Sequence, residues 1–281
     1  MRASALLADG ARRLVAAGLP SPQADARILL AHALSVEPSE LALTSVDDAG
    51  QARFRTLLNA RAAGQPVQYL TGVAYFRTVA VHVGPGVFIP RPETESLAGW
   101  AIEALRQGRT RDGRAPVVVE LCAGSGAISA SIAAELPGCE QHAVELSPDA
   151  FAYLRANVPG AHLVLADMDG ALPELDGTVD VVVANPPYIP DTDRALVAAD
   201  VLAHEPELAL FSGPDGLDAL RVVVRVAARL LRPGGWVGIE HDESTGSGAV
   251  AALEASSVFE QVQDRRDLAG RPRFVTARLA G

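Results

Sequence analysis

The sequence predicts an α/β protein in which a small all-α bundle precedes a parallel, doubly wound sheet. Three observations carry that prediction. Beyond about residue 91, apolar strand, turn and helix alternate, the order that lays parallel strands side by side with helices on both faces. Over the first seventy residues, apolar positions recur at helical spacing, with Ser, Gly and Pro at the breaks. The 281 residues, 49% apolar and 21% charged, suffice for one large or two ordinary domains and a substantial core. A lone small module and a disordered chain are excluded.

In chain order, Leu6, Leu7, Leu14 and Val15 mark the apolar face of a first helix, which ends at Gly18 and Pro20. Ser21-Pro22 is an N-cap followed by Pro at the first helical position, and opens a second helix carrying Ile28, Leu29 and Leu34. A third, short helix is expected around Leu41 and Leu43. A fourth starts near Asp48, buries Phe54, Leu57 and Leu58, and stops at Gly64. Val79, Val81 and Val83 then alternate before Gly84-Pro85-Gly86, and Val87-Phe88-Ile89 follows, which reads as a β-hairpin. A helix runs from about Pro92 to Leu105. Strands follow at 117–119, 143–144, 163–165, 181–183 and 236–239, and the tail, 259–262 with 274–279, reads as an edge hairpin. The expected organisation is a helical domain over residues 1–76, a β-hairpin linker over 77–90 and an α/β domain over 91–281.

Composition narrows function. All 24 basic residues are Arg, and the charge is uneven: +1 over residues 1–76 and −11 over the remainder. A protein that grips phosphates needs clustered cations, so direct nucleic-acid binding is not expected. No apolar run reaches the ~20 residues needed to cross a bilayer, and Asp9, Arg12 and Arg13 interrupt the first stretch where a signal peptide needs apolar residues. A cytoplasmic address is expected. Cys122 and Cys139 are too few for a disulfide framework and read as buried thiols. The six His residues, 32, 82, 142, 162, 204 and 241, show no ligand spacing, so no metal is expected.

Residues 117–126, VVVELCAGSG, form a buried strand running into a glycine-bearing turn and then a helix. In such sheets ligands sit at the carboxyl ends of the strands, where Gly lets them approach the backbone. Glu145 ends the next strand, 19 positions after Gly126, where a carboxylate accepts ribose hydroxyls. An ordinary tight turn also accounts for Gly124 and Gly126 taken alone. Strand, turn, helix and distal acid together favour a nucleoside cofactor. A dinucleotide fingerprint wants Gly or Ala where this chain has Ser129, and Glu120 just before the turn repels a pyrophosphate. That acid suits a ligand carrying an ammonium and a sulfonium, which points to S-adenosylmethionine.

Residues 180–188, DVVVANPPY, form a second buried strand that empties into Asn185-Pro186-Pro187-Tyr188. Two prolines fix φ and remove two N–H donors, leaving carbonyls at a rigid turn beside the Asn side chain. An isolated Asn-Pro would be a plain strand-ending turn; this tetrapeptide lies at the sheet's binding edge beside the cofactor turn. A planar carboxamide or aniline-like NH2 is a poor nucleophile because its lone pair is delocalised. The Asn185 side-chain oxygen and the Pro186 carbonyl suit its two N–H hydrogens and favour a pyramidal nitrogen facing a methyl donor. Tyr188 walls the planar group. Asn185, Pro186 and Tyr188 are therefore the candidate catalytic residues.

On these residues the chain resembles the protein-(glutamine-N5) methyltransferases of peptide chain release factors, the HemK/PrmC type. The resemblance spans nearly the whole chain. Beyond Asn185-Pro186-Pro187-Tyr188, shared by many amino-methyltransferases, it rests on GQPVQYLTG (64–72), FIPRPETE (88–95), EPELAL (205–210) and GPDGL (213–217). It implies a seven-stranded, Rossmann-like class I methyltransferase domain whose last strand is antiparallel, preceded by a helical domain that helps hold a class-I release factor. It further implies that Cys122, Ala123, Gly124, Ser125 and Gly126 cradle the methionyl part of the cofactor. Glu145 would take the ribose, Asp167 and Met168 the adenine side, and Asn185 would touch both cofactor and substrate. The substrate implied is the glutamine of the Gly-Gly-Gln loop, clasped by Asn185, Pro186, Pro187 and Tyr188. Phe88 and residues 91–95 would form a flap, although Pro92 at a helix start also explains that stretch. The chain departs from the family in having Glu120-Leu121-Cys122 for the usual Asp-Leu-Gly, and Met168 where an aromatic is frequent. The form of IEHDE (239–243) has no assigned counterpart.

Two other functions fit parts of the sequence. A nucleic-acid exocyclic-amine methyltransferase presents the same chemistry to Asn185, but the −11 balance of the α/β part and the missing aromatic-and-Arg stretch oppose it. A noncatalytic S-adenosylmethionine-binding scaffold for a translation factor conflicts with the intact Asn-Pro-Pro-Tyr. Ser125 lacks the Gly-x-Ser-x-Gly elbow, since Ala123 precedes it, and Asp191 and Asp193 read as solvated turn residues. The protein is expected to act as a monomer.

Overall fold

The computed structural model describes residues 2–112 and 114–281. The chain divides into two compact units, Met1–Val73 with Ala198–His204, and Ala74–Val197 with Glu205–Gly281.

The first unit is helical. Helix α1 (Ala3–Ala16) buries Leu6, Gly10 and Leu14 at i, i+4 and i+8, so Val15, expected on that face, is exposed. Gly10 is required there: a Cβ would stand 2.8 Å from Phe54 Cζ. Helix α2 (Pro22–Leu34) starts at Ser21 with Pro at its first position, but the Ser21 hydroxyl makes no cap bond. It buries Leu29 and Leu30, with Ile28 on the exposed side. Helix α3 (Asp48–Ala62) is capped by Asp47, which accepts from the Gly50 N–H at 2.7 Å, and α4 (Val67–Thr71) ends at Gly72 in the left-handed region. Leu6, Leu14, Leu29, Leu30, Phe54 and Leu58 form the core. Within it Arg61 Nε donates to Asp25 at 2.7 Å, and Arg61 Nη1 reaches the Gln65 carbonyl at 3.0 Å. The short helix expected around Leu41 and Leu43 is instead a run of turns. Its bonds span three residues, as from Leu43 N–H to the Glu40 carbonyl; Leu41 is buried and Leu43 exposed.

The hairpin lies earlier than the sequence suggests. Its strands are β1 (Val73–Phe76) and β2 (Val79–His82), turning at Arg77 with φ 50°. The expected turn forms, closed by the Val87 N–H on the Gly84 carbonyl at 3.3 Å, but it joins no hairpin, because 87–89 is not a strand. Gly84 and Gly86 instead let Tyr153 and Asp149 pack directly on the backbone, and the Tyr153 hydroxyl donates to the Pro85 carbonyl at 3.3 Å. A single 3-10 turn at Pro92–Thr94 leads into α5 (Glu95–Asp112).

The α/β part then follows as β3 (Val117–Leu121), α6 (Ala127–Glu135), β4 (Glu140–Glu145), α7 (Pro148–Asn157), β5 (His162–Leu165) and β6 (Val179–Ala184). After the short α8 (Ala199–His204), grouped with the first unit, come α9 (Asp218–Leu230), β7 (Leu231–Glu240), α10 (Gly246–Ala255), β8 (Phe259–Arg266) and β9 (Pro272–Leu279). The seven-stranded sheet runs β5-β4-β3-β6-β7-β9-β8. Strands β3 to β7 pair in parallel, and β9 is antiparallel to β7 and β8. This is the seven-stranded arrangement that the resemblance implied, with its last strand antiparallel. Every residue of β3 and β6 is buried, as a central parallel strand covered on both faces requires. No described helix is long and apolar enough to cross a membrane.

Candidate active site

Strand order reverses between β3 and β6, because the chain proceeds outward to β4 and β5 on one side and to β7 on the other. The crevice beyond the carboxyl ends at such a switch point is where open α/β sheets bind ligands. Register sets what lines it. Leu121 pairs with Val144 and with Ala184, and Ala184 pairs with Ile239. The residues one step beyond form a row across four strands: Glu145, Cys122, Asn185 and Glu240.

The turn after β3 is built from left-handed backbone. Cys122, Gly124 and Gly126 have φ of 56°, 55° and 77°. A Cβ on Gly126 would stand 2.6 Å from Leu154 and 2.7 Å from Val158, whereas one on Gly124 meets nothing within 4 Å. Gly126 is therefore needed for packing, and Gly124 borders the open side. Cys122 adopts the left-handed conformation despite its Cβ, a modest strain for a non-Gly residue. Its Sγ lies 3.7 Å from Met168 Sδ. Loss of solvent around the thiol, then the charges of Glu145, Glu120 and Asp167, push its pKa far up, so it is an inert thiol. Cys139 reaches the Leu136 carbonyl at 3.3 Å.

Three acids surround this turn. Glu145 accepts from the Gly124 N–H at 2.7 Å and the Ser147 N–H at 2.8 Å, which holds its carboxylate over the turn with lone pairs remaining. Asp167 accepts from the Asp169 N–H at 2.9 Å, next to Met168. Glu120 is buried and accepts from the N–H of Ser129, at 2.9 Å, and from its hydroxyl. Ser129, which stands where a dinucleotide site wants Gly or Ala, thus anchors that carboxylate to α6. Desolvation raises the Glu120 carboxyl to about 7, the Ser129 bonds opposing and the Glu145 charge adding to the rise. Asn157, unnoticed in the sequence, donates through Nδ2 to the carbonyls of Ser125 and His82, each at 2.9 Å.

On the other side of the row, Asn185 Nδ2 donates to Thr94 Oγ1 at 3.2 Å. No described residue donates to Asn185 Oδ1 or to the Pro186 carbonyl. The Tyr188 hydroxyl donates to Glu240 Oε1 at 3.3 Å; burial, then the Glu240 charge, raises its pKa. Behind the tetrapeptide, Ile189 and Asp191 N–H groups bond the carbonyls of Leu210 and Gly213, each at 2.9 Å. Gly216, at φ 75°, has the Tyr188 carbonyl where a Cβ would go. The two family stretches at 205–217 thus support Asn-Pro-Pro-Tyr.

Phe88 stands under the Arg91 guanidinium, 4.7 Å from its ring centroid. Arg91 pairs with the buried Glu205, which also accepts from the Ile89 N–H at 3.3 Å. Phe88 is thereby fixed to a loop tied at its base, and among the described residues no bond links it to the Asn185 turn. Thr94 lies in the stretch read as a flap and Glu240 in the unassigned IEHDE, and the role of neither beside Asn185 was foreseen. The available signal was positional: Glu240 follows the last apolar residue of β7 as Asn185 follows that of β6.

Three-dimensional pairing also alters the reading of the histidines. Register sets His142 beside His162, with rings stacked at 4.7 Å, and Glu140 lies 3.0 Å from His142 Nε2. Their donor atoms all lie within 4.8 Å of one another, a grouping that could hold a metal ion and that the spacing in the sequence does not reveal. They sit toward the amino ends of the strands, away from the turn.

Residues 5–72 match the family model of the PrmC N-terminal domain, and residues 118–204 a methyltransferase domain. The release factor glutamine methyltransferase of Streptomyces coelicolor is 47% identical over 98% of this chain and 97% of its own length. That of Mycobacterium tuberculosis strain H37Rv is 42% identical over 98% and 88%, and that of Deinococcus radiodurans 38% over 98% of each. Among solved structures, the hMettl16 catalytic domain aligns with a TM-score of 0.56 at 15% identity, covering 80% of this chain and 81% of that one, a likeness of fold.

Proposed function

The chain belongs to the family of release factor glutamine methyltransferases, and from that premise we propose that it methylates the side-chain amide nitrogen, N5, of the Gly-Gly-Gln glutamine in class-I peptide chain release factors. S-adenosylmethionine supplies an electrophilic methyl group when bound. The turn fits it: Gly124 leaves its approach open, and Glu120, Glu145 and Asp167 set negative charge around a cationic ligand. Cys122 to Gly126 hold the methionyl part, Glu145 the ribose hydroxyls, and Asp167 with Met168 the adenine side.

The observation that carries the reading is the pair of acceptors, Asn185 Oδ1 and the Pro186 carbonyl, one strand from that turn. They take the two hydrogens of a carboxamide, orient its nitrogen toward the methyl, and favour the pyramidal form whose lone pair is nucleophilic. Alignment of this kind lowers a barrier by up to ~7–11 kcal/mol. No strong base is required before attack, because the nitrogen turns acidic only on alkylation. Pro187 holds the turn rigid, and Tyr188 flanks the carboxamide with its hydroxyl anchored on Glu240. Phe88 lies in the flap that covers the bound loop.

The helical domain, residues 1–76, serves recognition of the release factor. A protein substrate rather than nucleic acid agrees with the −11 charge of the α/β part, and the chain works as a monomer in the cytoplasm on this reading. Incubation with labelled methyl donor and either a release factor or RNA, followed by mass spectrometry, tests the proposal. Label on the loop glutamine is expected; label on a base supports the nucleic-acid alternative.

A further inference from the structure

We propose that Thr94 and Glu240 are positioning residues that fix which end of the Asn185 amide faces the substrate, an inference that rests on the glutamine-methylating reading above. An Asn amide is nearly symmetric in shape, and rotation by half a turn exchanges acceptor for donor. Only the Oδ1-inward orientation accepts from a substrate NH2; the reverse sets two donors against each other. In the structure the choice is made by Thr94 Oγ1, which accepts from Asn185 Nδ2 at 3.2 Å.

A hydroxyl is either donor or acceptor, so Thr94 selects the orientation only if its own proton is committed elsewhere. The group placed to take that proton is Glu240, which follows Ile239 on β7 as Asn185 follows its register partner Ala184 on β6, is buried like Thr94, and has its ionised form favoured by Thr94. Tyr188 donates to the same carboxylate from its other neighbour and so does not compete as an acceptor. The polarity therefore runs from Asn185 to Thr94 to Glu240, with Tyr188 converging on the same end. Nothing on the chain needs to move.

The arrangement depends on Glu240 being ionised. Burial raises its carboxyl to about 7, against the donors Thr94 and Tyr188 and the Arg273 charge, while the Glu93 charge adds to the rise. Asp242 also faces the Tyr188 end of the cluster, and Arg271 sits on Glu93 at 3.0 Å. Among the described residues Glu240 Oε2 has no hydrogen-bond partner, so a proton is accommodated there as pH falls. With that proton in place Glu240 loses its charge and much of its pull on the Thr94 hydroxyl, which is then freer to donate toward Asn185, and the preference of the amide weakens.

The test is steady-state methyl transfer to a release factor between pH 6 and 9 by the wild type, Thr94→Val, Thr94→Ser and Glu240→Gln. Melting curves and cofactor titration accompany it to show that each variant is folded and binds its cofactor. Expected are a wild-type kcat that rises through pH 7, a fall in kcat of about 10- to 100-fold in Thr94→Val with little change in cofactor affinity, recovery in Thr94→Ser, and a depressed, flat profile in Glu240→Gln. Wild-type kcat in folded Thr94→Val, or an unaltered pH profile in Glu240→Gln, overturns the inference and leaves the glutamine reading standing. Absence of glutamine methylation by the wild type overturns both.

Discussion

The Asn157 side chain donates to the Ser125 carbonyl at 2.9 Å, from the last residue of α7 to the middle of the cofactor turn. Its second donor bond goes to the His82 carbonyl and its Oδ1 accepts from the His82 N–H at 2.8 Å. One amide therefore ties the left-handed turn to strand β2. Asn157→Ala leaves three backbone groups without this partner. A loss of about 1–3 kcal/mol in stability is expected, together with weaker cofactor binding, checked by thermal melts and calorimetry.

Glu145→Ala should weaken cofactor binding by about tenfold or more, since it removes both the ribose acceptor and the anchor of the Gly124 N–H. Glu145→Gln keeps one acceptor and should lie between the two. Calorimetric affinity equal to the wild type in Glu145→Ala would show that the ribose is held elsewhere.

Glu120 makes stability and binding move oppositely with pH. Its folded carboxyl titrates near 7 against an ordinary 4.5, so between those values the folded state holds a proton that the unfolded state has lost. Stability therefore falls as pH rises through that window, by up to about 3 kcal/mol for this group. A cationic ligand favours the ionised carboxylate, so cofactor affinity should rise through pH 7. Glu120→Gln should flatten both curves, in melts and in titrations run from pH 5 to 8.

In the helical unit, Asp25 and Arg61 are paired while nearly excluded from solvent. Removing one partner strands the other charge. Asp25→Ala is expected to cost about 3–5 kcal/mol, read as a lowered denaturation midpoint, whereas replacing both residues by apolar ones should cost less.

The parts of the molecule legible in the sequence were those governed by local pattern. The strands from Val117 to Ile239 announced themselves as apolar runs, and Glu145 and Asn185 as polar residues closing two of them. What escaped depends on contacts between distant segments. The hairpin was displaced because the turn at Gly84 to Gly86 is real but serves to admit Tyr153 and Asp149 rather than to pair two strands. Leu43 fits a helical spacing, but no four-residue ladder forms beneath it. Thr94 lies 91 positions from Asn185 and Glu240 lies 52 from Tyr188; only the register of the sheet and the fold of the loop before α5 bring them together. His142 and His162 meet for the same reason.

The grip of Asn185 on the substrate carboxamide is tested most directly by single-turnover methyl transfer to a release factor, with cofactor saturating, in Asn185→Ala. A rate at least about 100-fold below that of the wild type, in a folded variant that still binds the cofactor, is the predicted result. Transfer at the wild-type rate would contradict it.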